Sequence, residues 1–275
     1  MAANAIALRP VQEHGWRMGL RNLLGREIGA WWQTRRWLKQ ALIWLFVING
    51  VVALALFQAG NTPAGQPAVP IEDLRLMVVT IFVIFMSAPA IGAIIGMQDA
   101  IVEETRSGTA AWILSKPVSR AAFVVSKLLA GSLGFLVAGI LIPGVVAYAL
   151  LAIGLVGPLG AKELALGLAL VALHTEFYLT LTLMLGTFFN GRGPVIGIPL
   201  ALFLGSQFIL NAVPSLATVL PAAIVLPAGG QAHSSLATQA VLGQPLAMVA
   251  PVIATLAWCA LFVVVAVWRF RREEF

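Results

Sequence analysis

The sequence has 275 residues, of which 60% are hydrophobic and only 10% are charged, and its mean hydropathy is +0.95. A soluble domain has about 25% charged residues, so this composition excludes an ordinary soluble protein and indicates an integral membrane protein. The net charge of +6 is then typical of loops that face anionic lipid, and we expect no nucleic-acid partner.

Six stretches are long and apolar enough to cross the hydrocarbon core, which takes about 20 residues of helix. They lie at residues 38–57, 74–97, 121–151, 164–189, 195–213 and 246–268. No segment outside them is long enough to form a separate domain. We therefore expect residues 1–275 to form one all-α transmembrane domain.

The first element of interest precedes the first span, because residues 16–40 are predicted to form a helix with an apolar stripe. The stripe consists of residues spaced three or four apart, namely Trp16, Leu20, Leu23, Leu24, Ile28 and Trp31. Arg26 points away from the stripe, whereas Glu27 intrudes on it. Tryptophan with arginine favours an interfacial helix at the lipid headgroups. The alternative is a long cytoplasmic extension of the first span.

Residues 99–120, between the second and third spans, carry the most informative pattern. The second span is predicted to continue as a charged helix that contains Glu103, Glu104 and Arg106. Gly108 then interrupts it, and Thr109 is predicted to cap a new short helix. This helix ends at Ser115, because Pro117 removes a donor and restricts the residue before it.

The short helix is predicted to expose an apolar knob formed by Trp112, Ile113 and Leu114. An exposed apolar surface of this kind needs a partner to bury it. That partner is either a docked protein or the surface of the bilayer, and the physical argument leaves both open. Ser119 is predicted to cap the third span.

The fourth span contains two polar residues, His174 and Glu176, as a possible substrate pathway. Placing a carboxylate at the bilayer centre costs about 2.5–3.5 kcal/mol, so Glu176 is a candidate functional residue. Glu176 either has a structural role, in which it is protonated or hydrogen-bonded to Thr180, or lines a substrate or dimer-interface cavity, or takes part in metal or proton chemistry with His174. Two residues apart on a helix, the two side chains diverge and cannot chelate one ion alone.

Residues 214–244, between the fifth and sixth spans, contain no Asp, Glu, Lys or Arg. Pro214, Pro221 and Pro227 prevent one continuous span. We expect short helices that lie on the outer leaflet or dip into it, packed against protein where the backbone breaks.

The distribution of basic residues predicts the orientation. With the N-terminus in the cytoplasm, fifteen of the 17 Lys and Arg residues lie on the cytoplasmic side and only Arg75 and Lys162 lie outside. Cytoplasmic loops carry such an excess, so both termini are expected in the cytoplasm. We expect the membrane itself to be the inner (plasma) membrane of a prokaryote.

The pattern in residues 99–120 also carries a family resemblance. It reads Glu-Glu-x-Arg-x-Gly-Thr-x-x-x-Ile-Leu-Ser-x-Pro-Val-Ser-Arg and is followed by Lys127-Leu-Leu-Ala. It resembles the signature of permease subunits of ABC transporters in the type-two exporter class, in which this region forms a coupling helix that inserts into the ATP-binding subunit. Arg26-Glu27-Ile28 is similar to the start of that family's connecting helix. Trp112 and Ser126 depart from the usual residues, which indicates a particular ATPase partner.

The resemblance implies a role in coupling to the ATPase for a set of residues in this chain: Glu103, Glu104, Arg106, Gly108, Thr109, Trp112, Ile113, Leu114, Ser115, Pro117 and Arg120. It likewise implies a connecting helix that includes Arg26, Glu27 and Trp31. The fold class expected is therefore an all-α integral membrane protein with six spans, an interfacial connecting helix, a coupling helix and short outer-leaflet helices.

The sequence contains no Gly-x-x-x-x-Gly-Lys-Ser/Thr loop, so we do not expect this chain to be catalytic alone or to bind a cofactor or metal. The resemblance implies that ATP and Mg are held by a cytoplasmic ABC ATPase subunit. It also implies a second copy or a related permease, contact with membrane lipid, and export of a substrate. Apolar spans favour a hydrophobic or amphiphilic substrate.

Two other functions remain as alternatives. One is an ion- or proton-coupled secondary transporter or channel that uses Glu176. The other is a non-transporting membrane assembly component or an intramembrane enzyme. Transport along an ion gradient without ATP would favour the first alternative, and a purified complex without an ATPase would favour the second.

Overall fold

The computed structural model describes residues 14–61, 70–154, 159–227 and 234–273. The described residues are mainly helical and contain no β-strand, and six helices are long and apolar enough to cross a membrane. These spans are Arg36–Ala59, Ile71–Arg106, Arg120–Ile153, Ala161–Phe188, Arg192–Ala212 and Ala250–Arg271. The prediction of an all-α integral membrane protein with six spans is confirmed.

Three spans depart from regular α-helix along their length. The first span comprises Arg36–Trp44, a π-helical turn at Leu45–Asn49, and Gly50–Gly60. The third comprises Arg120–Phe135, a π-helical turn at Leu136–Leu141, and Ile142–Ile153. The second comprises Ile71–Met86, Pro89–Met97 and Asp99–Arg106. It breaks before Pro89, because proline cannot donate the helical hydrogen bond.

The fourth span, Ala161–Phe188, forms the centre of the bundle. Of its most apolar stretch 67% is buried, against 22% for the fifth span. It packs most extensively against the sixth span and also contacts the second span and the helix Leu236–Val241. Its polar residues His174, Thr175 and Thr182 are therefore shielded from lipid.

The segment between the fifth and sixth spans forms short helices that insert among the spans. They are the 3-10 helices Pro214–Thr218 and Pro221–Ile224 and the α-helix Leu236–Val241. Ile224 and Val241 are fully buried in the same cluster as side chains of the first four spans. This arrangement agrees with the expectation of short helices packed against protein, and residues 228–233 lie outside the described part of the segment.

The N-terminal region differs from the single helix predicted over residues 16–40. A 3-10 turn, Gly15–Arg17, precedes the N-terminal helix Leu20–Trp32, and the first span begins separately at Arg36. Between them, Arg35 has a left-handed φ of 58°, which the interior of a right-handed helix does not allow. The single-helix prediction is therefore wrong, and the N-terminal helix is not a straight extension of the first span either.

The apolar stripe of the N-terminal helix packs against the third span. Leu23 and Trp31 are buried, and the ring of Trp31 meets that of Phe135 edge to face with centroids 5.2 Å apart. Gly134 makes this approach possible, because a Cβ atom there would lie 2.5 Å from the Trp31 ring. The stripe is therefore used for packing inside the chain.

Candidate functional site

Residues 99–120 form a helical hairpin at one end of the bundle, which we call the hairpin end. The charged helix Asp99–Arg106 is followed by a turn and by a tip helix, Thr109–Leu114. Gly108 interrupts the chain as predicted, with a φ of 74° that glycine adopts without steric cost. Thr109, however, does not cap the tip helix: Gly108 occupies the cap position, and the Thr109 hydroxyl pairs with that of Ser107 at 2.9 Å.

The tip helix exposes one large apolar side chain. Trp112 is 62% exposed, and the Lys116 ammonium lies 3.5 Å from the centroid of its ring. Ile113 is only 4% exposed and Leu114 is half-buried, so the predicted three-residue knob is wrong. Ile113 faces inward because it packs, with Ala110, into a cluster with side chains of the N-terminal helix and the third and sixth spans. The exposed apolar surface is thus concentrated in Trp112.

The base of the hairpin is tied to the N-terminal segment through Ser119. The Ser119 hydroxyl accepts a hydrogen bond from the Ala122 amide at 2.9 Å, so it caps the third span as predicted. Its own amide donates to the Met18 carbonyl at 2.9 Å, and its hydroxyl donates to the Trp16 carbonyl. Ser115 and Pro117 lie exposed between the tip helix and this anchor.

Lys127 is the buried charge at the centre of the hairpin end. Its side chain is 4% exposed, and its Nζ lies 3.0 Å from Glu27 Oε1 and 2.9 Å from Glu104 Oε1. Arg26 approaches the same Glu104 oxygen at 3.6 Å. This cluster connects the N-terminal helix, the hairpin and the third span. Losing one partner of a buried pair costs about 3–5 kcal/mol, against about 0–1 kcal/mol for an exposed pair, so Lys127 fixes the position of the hairpin.

Arg192, at the start of the fifth span, holds the charged helix from the other side. Its Nε lies 2.6 Å from Asp99 Oδ1 and its Nη2 lies 2.9 Å from Glu103 Oε2. Arg192 and Glu103 are each about half exposed. These ion pairs are therefore worth less than those of Lys127.

Arg120, the last residue of the sequence pattern, binds the end of the sixth span. Its Nη1 donates to the carbonyls of Arg271 and Glu273 at 2.7 and 2.6 Å. Carbonyls at a helix C-terminus lack helical partners, so a guanidinium is well suited to them. Next to this contact, the rings of Phe123 and Phe270 stack in parallel with centroids 5.0 Å apart.

His174 and Glu176, in the fourth span, face two different cavities. Glu176 Oε1 accepts a hydrogen bond from the Ser132 hydroxyl at 2.7 Å. The alternative in which the Glu176 carboxylate bonds to Thr180 does not occur, because the Thr180 hydroxyl donates to the backbone carbonyl of Glu176 instead. His174 Nδ1 lies 3.2 Å from the Pro221 carbonyl oxygen, and its Nε2 has no partner among the described residues.

The spaces themselves are small and separate. His174 is 1% exposed and lines a cavity of about 190 Å³ between the second, fourth and fifth spans and the inserted loop. Glu176 faces a groove of about 250 Å³ between the third and fourth spans. Only Glu176 is half-buried, so of this pair it alone reaches the surface of the bundle.

Sequence reasoning did not select Lys127, Asp99, Arg192 or Ser132 as site residues. A signal existed for Lys127, because a lysine within an apolar stretch and a glutamate within an apolar stripe are complementary charges on faces that pack together. No comparable signal marks Ser132, since serine is common in membrane spans and its partner is distant in the sequence.

Comparison with known protein families identifies the family of this chain. A search of curated protein sequences found no significant match. The family model described as ABC-2 family transporter protein matches residues 30–275, which include all six spans and the whole hairpin but not Arg26 and Glu27. The chain therefore belongs to the ABC-2 transporter family, as a multi-pass membrane permease of the ABC type.

Proposed function

We propose that this chain is the membrane-spanning subunit of an ATP-driven exporter, with ATP and Mg held by a separate cytoplasmic ABC ATPase. The observation that carries the proposal is the exposure of Trp112 on a tip helix that is otherwise anchored by buried contacts. An exposed tryptophan at the end of a rigid element suits a pocket in a protein partner, where aromatic side chains contribute most of the binding energy.

The anchoring supports a mechanical role for the hairpin. Lys127 joins it to the N-terminal helix and the third span, and Arg192 joins it to the fifth span. When ATP binding draws two ATPase subunits together, each tip helix is displaced. Because the hairpin is bonded to these elements, the displacement moves the spans rather than bending the hairpin alone.

The assembly proposed contains two permeases, either two copies of this chain or one copy with a related chain. The displacement of their spans switches access between the two sides of the membrane. The large apolar surface of the spans and the groove at Glu176 support a hydrophobic or amphiphilic substrate taken from the membrane. The excess of basic residues at the hairpin end supports an orientation with both termini in the cytoplasm of a prokaryotic cell.

Purification from native membranes tests the proposal. We expect the wild-type chain to co-purify with a subunit that carries a phosphate-binding loop. Trp112→Glu should reduce this subunit at least about tenfold, because a carboxylate would be buried in the docking pocket. Trp112→Phe is the matched control and should retain the ATPase, and membrane abundance checks that both variants fold.

Two results would contradict the proposal. One is a wild-type complex without an ATPase, and the other is a Trp112→Glu variant that keeps both the ATPase and transport. Transport in liposomes that follows an ion gradient without ATP would instead support the secondary transporter that uses Glu176.

A further inference from the structure

The groove beside Glu176 lies halfway along the bundle of spans. Glu176 is near the centre of the 28-residue span Ala161–Phe188, and the groove runs between this span and the third. Its lining includes Ser132, Leu133, Leu136, Ala172, Thr175 and Glu176. We call this set the Glu176 groove.

The groove opens sideways, toward the membrane. Leu133 and Leu136, at its rim, are 40% and 38% exposed, so the rim belongs to the outer surface of the bundle. The third span changes to π-helix at Leu136, and such turns often accompany functional sites. An occupant therefore enters from the lipid phase and must itself be soluble in lipid.

Among the described residues, no cation pairs with the Glu176 carboxylate in the groove. Ser132 donates one hydrogen bond to Oε1, and the described residues provide no other hydrogen bond and no ion pair to the Glu176 carboxylate. Lys127, Arg192 and the other paired cations lie at the hairpin end and bind other carboxylates. A charged carboxylate at this depth is unfavourable without a compensating charge, and the groove leaves room for a cation beside it.

We infer that the Glu176 groove binds the charged group of a cationic amphiphile. The Glu176 carboxylate pairs with the cation, Ser132 holds the carboxylate in position, and the apolar part of the ligand lies along Leu133 and Leu136. The volume of about 250 Å³ is smaller than a typical pocket for a whole drug-sized ligand, so the groove holds a head group while the tail stays in the membrane. The apolar rim rejects small hydrated ions.

The inference deepens the proposed transport function by naming a substrate class, and it rests on that function for its biological role. Binding itself does not require the ATPase, so it is measured separately. The full-length chain, with any subunit that co-purifies, is placed in nanodiscs of uncharged phosphatidylcholine. Radiolabelled dodecyltrimethylammonium, which has a small charged head group and one apolar tail, is the probe.

We expect the wild type to bind dodecyltrimethylammonium above the level of empty nanodiscs. Glu176→Gln keeps the shape and the acceptor for Ser132 but removes the charge, so it should weaken binding at least about tenfold. Glu163→Gln makes the same charge change on the same span outside the groove and should bind like the wild type. Leu133→Trp fills the groove from its exposed rim and should also abolish binding, independently of the carboxylate.

Competition separates recognition of charge from recognition of shape. Unlabelled dodecyltrimethylammonium should displace the probe, whereas dodecanol, which has the same chain without the charge, should not. The inference is wrong if Glu176→Gln binds like the wild type, if dodecanol displaces the probe equally well, or if the wild type does not bind. If binding depends on Glu176 but no ATPase co-purifies, the inference stands and the proposed exporter function is wrong. If an ATPase co-purifies but no such binding occurs, the exporter function stands and the inference is wrong.

Discussion

Lys127 shows how one buried charge determines the position of several elements. The contacts of its ammonium with Glu27 and Glu104, at 3.0 and 2.9 Å, connect two segments that are far from it in the sequence. Neither carboxylate is fully buried, so each retains some water when the lysine is absent. The stability of this cluster therefore depends most on the lysine, which has no other way to be solvated.

Replacing Lys127 with methionine should lower stability by about 1–3 kcal/mol, less than for a fully buried pair because the carboxylates regain water. Adding Glu104→Gln should recover part of the loss, because it removes one of the unpaired carboxylates. The thermal midpoint in detergent measures both effects as a double-mutant cycle. Arg106→Gln, on the exposed face of the same hairpin, is the control. Additive effects of the two substitutions would contradict the pairing.

The contacts of single side chains were the hardest feature to predict from the sequence. The hydrogen bond expected between Glu176 and Thr180 rested on their helical spacing, but the Glu176 side chain turns toward Ser132 of another span. Glu27 drew attention because it interrupts an apolar stripe, yet its partner could not be named. Spacing along one helix does not show which face of a neighbouring helix lies opposite.

At the scale of elements, the hairpin depends on the reversal at Gly108. Its φ of 74° is left-handed, and a Cβ atom there would meet nothing within 4 Å. A substitution at this position therefore strains the backbone without a steric clash. The effect of Gly108 can in this way be separated from packing.

Gly108→Val should destabilise the hairpin by about 1–2 kcal/mol, and Gly108→Asn by less, because asparagine tolerates this conformation. If the hairpin opens locally, amide hydrogen exchange in the tip helix should be about 5- to 30-fold faster in the valine variant. Gly191 is a matched control, since it is equally open but has a φ of −120°. Equal exchange in Gly108→Val and Gly191→Val would contradict the argument.

Element positions followed from the sequence more reliably than element ends and exposed faces. Hydropathy identifies all six spans, because a run of about 20 predominantly apolar residues is the length that a helix needs to cross a membrane and is rare elsewhere. The break at Arg35 was missed, since arginine is a good helix former and nothing local disfavours helix there. The burial of Ile113 was missed because it depends on the N-terminal helix packing beside the hairpin, which is a tertiary contact.

At the scale of the whole molecule, the distribution of charge predicts one orientation. A fluorescent protein fused to the C-terminus should fluoresce, because the predicted orientation places this terminus in the cytoplasm. Alkaline phosphatase inserted next to Gly160 should be active, because the same orientation places the connection between the third and fourth spans outside. The same enzyme inserted next to Gly191 should be inactive. Activity at Gly191 with none at Gly160 would show that the bundle has the opposite orientation.

The break before Pro89 divides the second span into two parts of nearly equal length. The span runs without a loop from Ile71 to Arg106, and its 36 residues measure about 54 Å, well beyond the roughly 30 Å of hydrocarbon. The part before the break, Ile71–Met86, is about 24 Å long, and the part from Pro89 to the hairpin is about 27 Å. Pro89 rests against the third span, where a Cβ atom on Gly139 would lie 3.1 Å away. Because the helix is interrupted at residues 87–88, the two parts can turn about this contact, so a push on the hairpin moves the part from Pro89 first and reaches the other part only as far as the interruption transmits it.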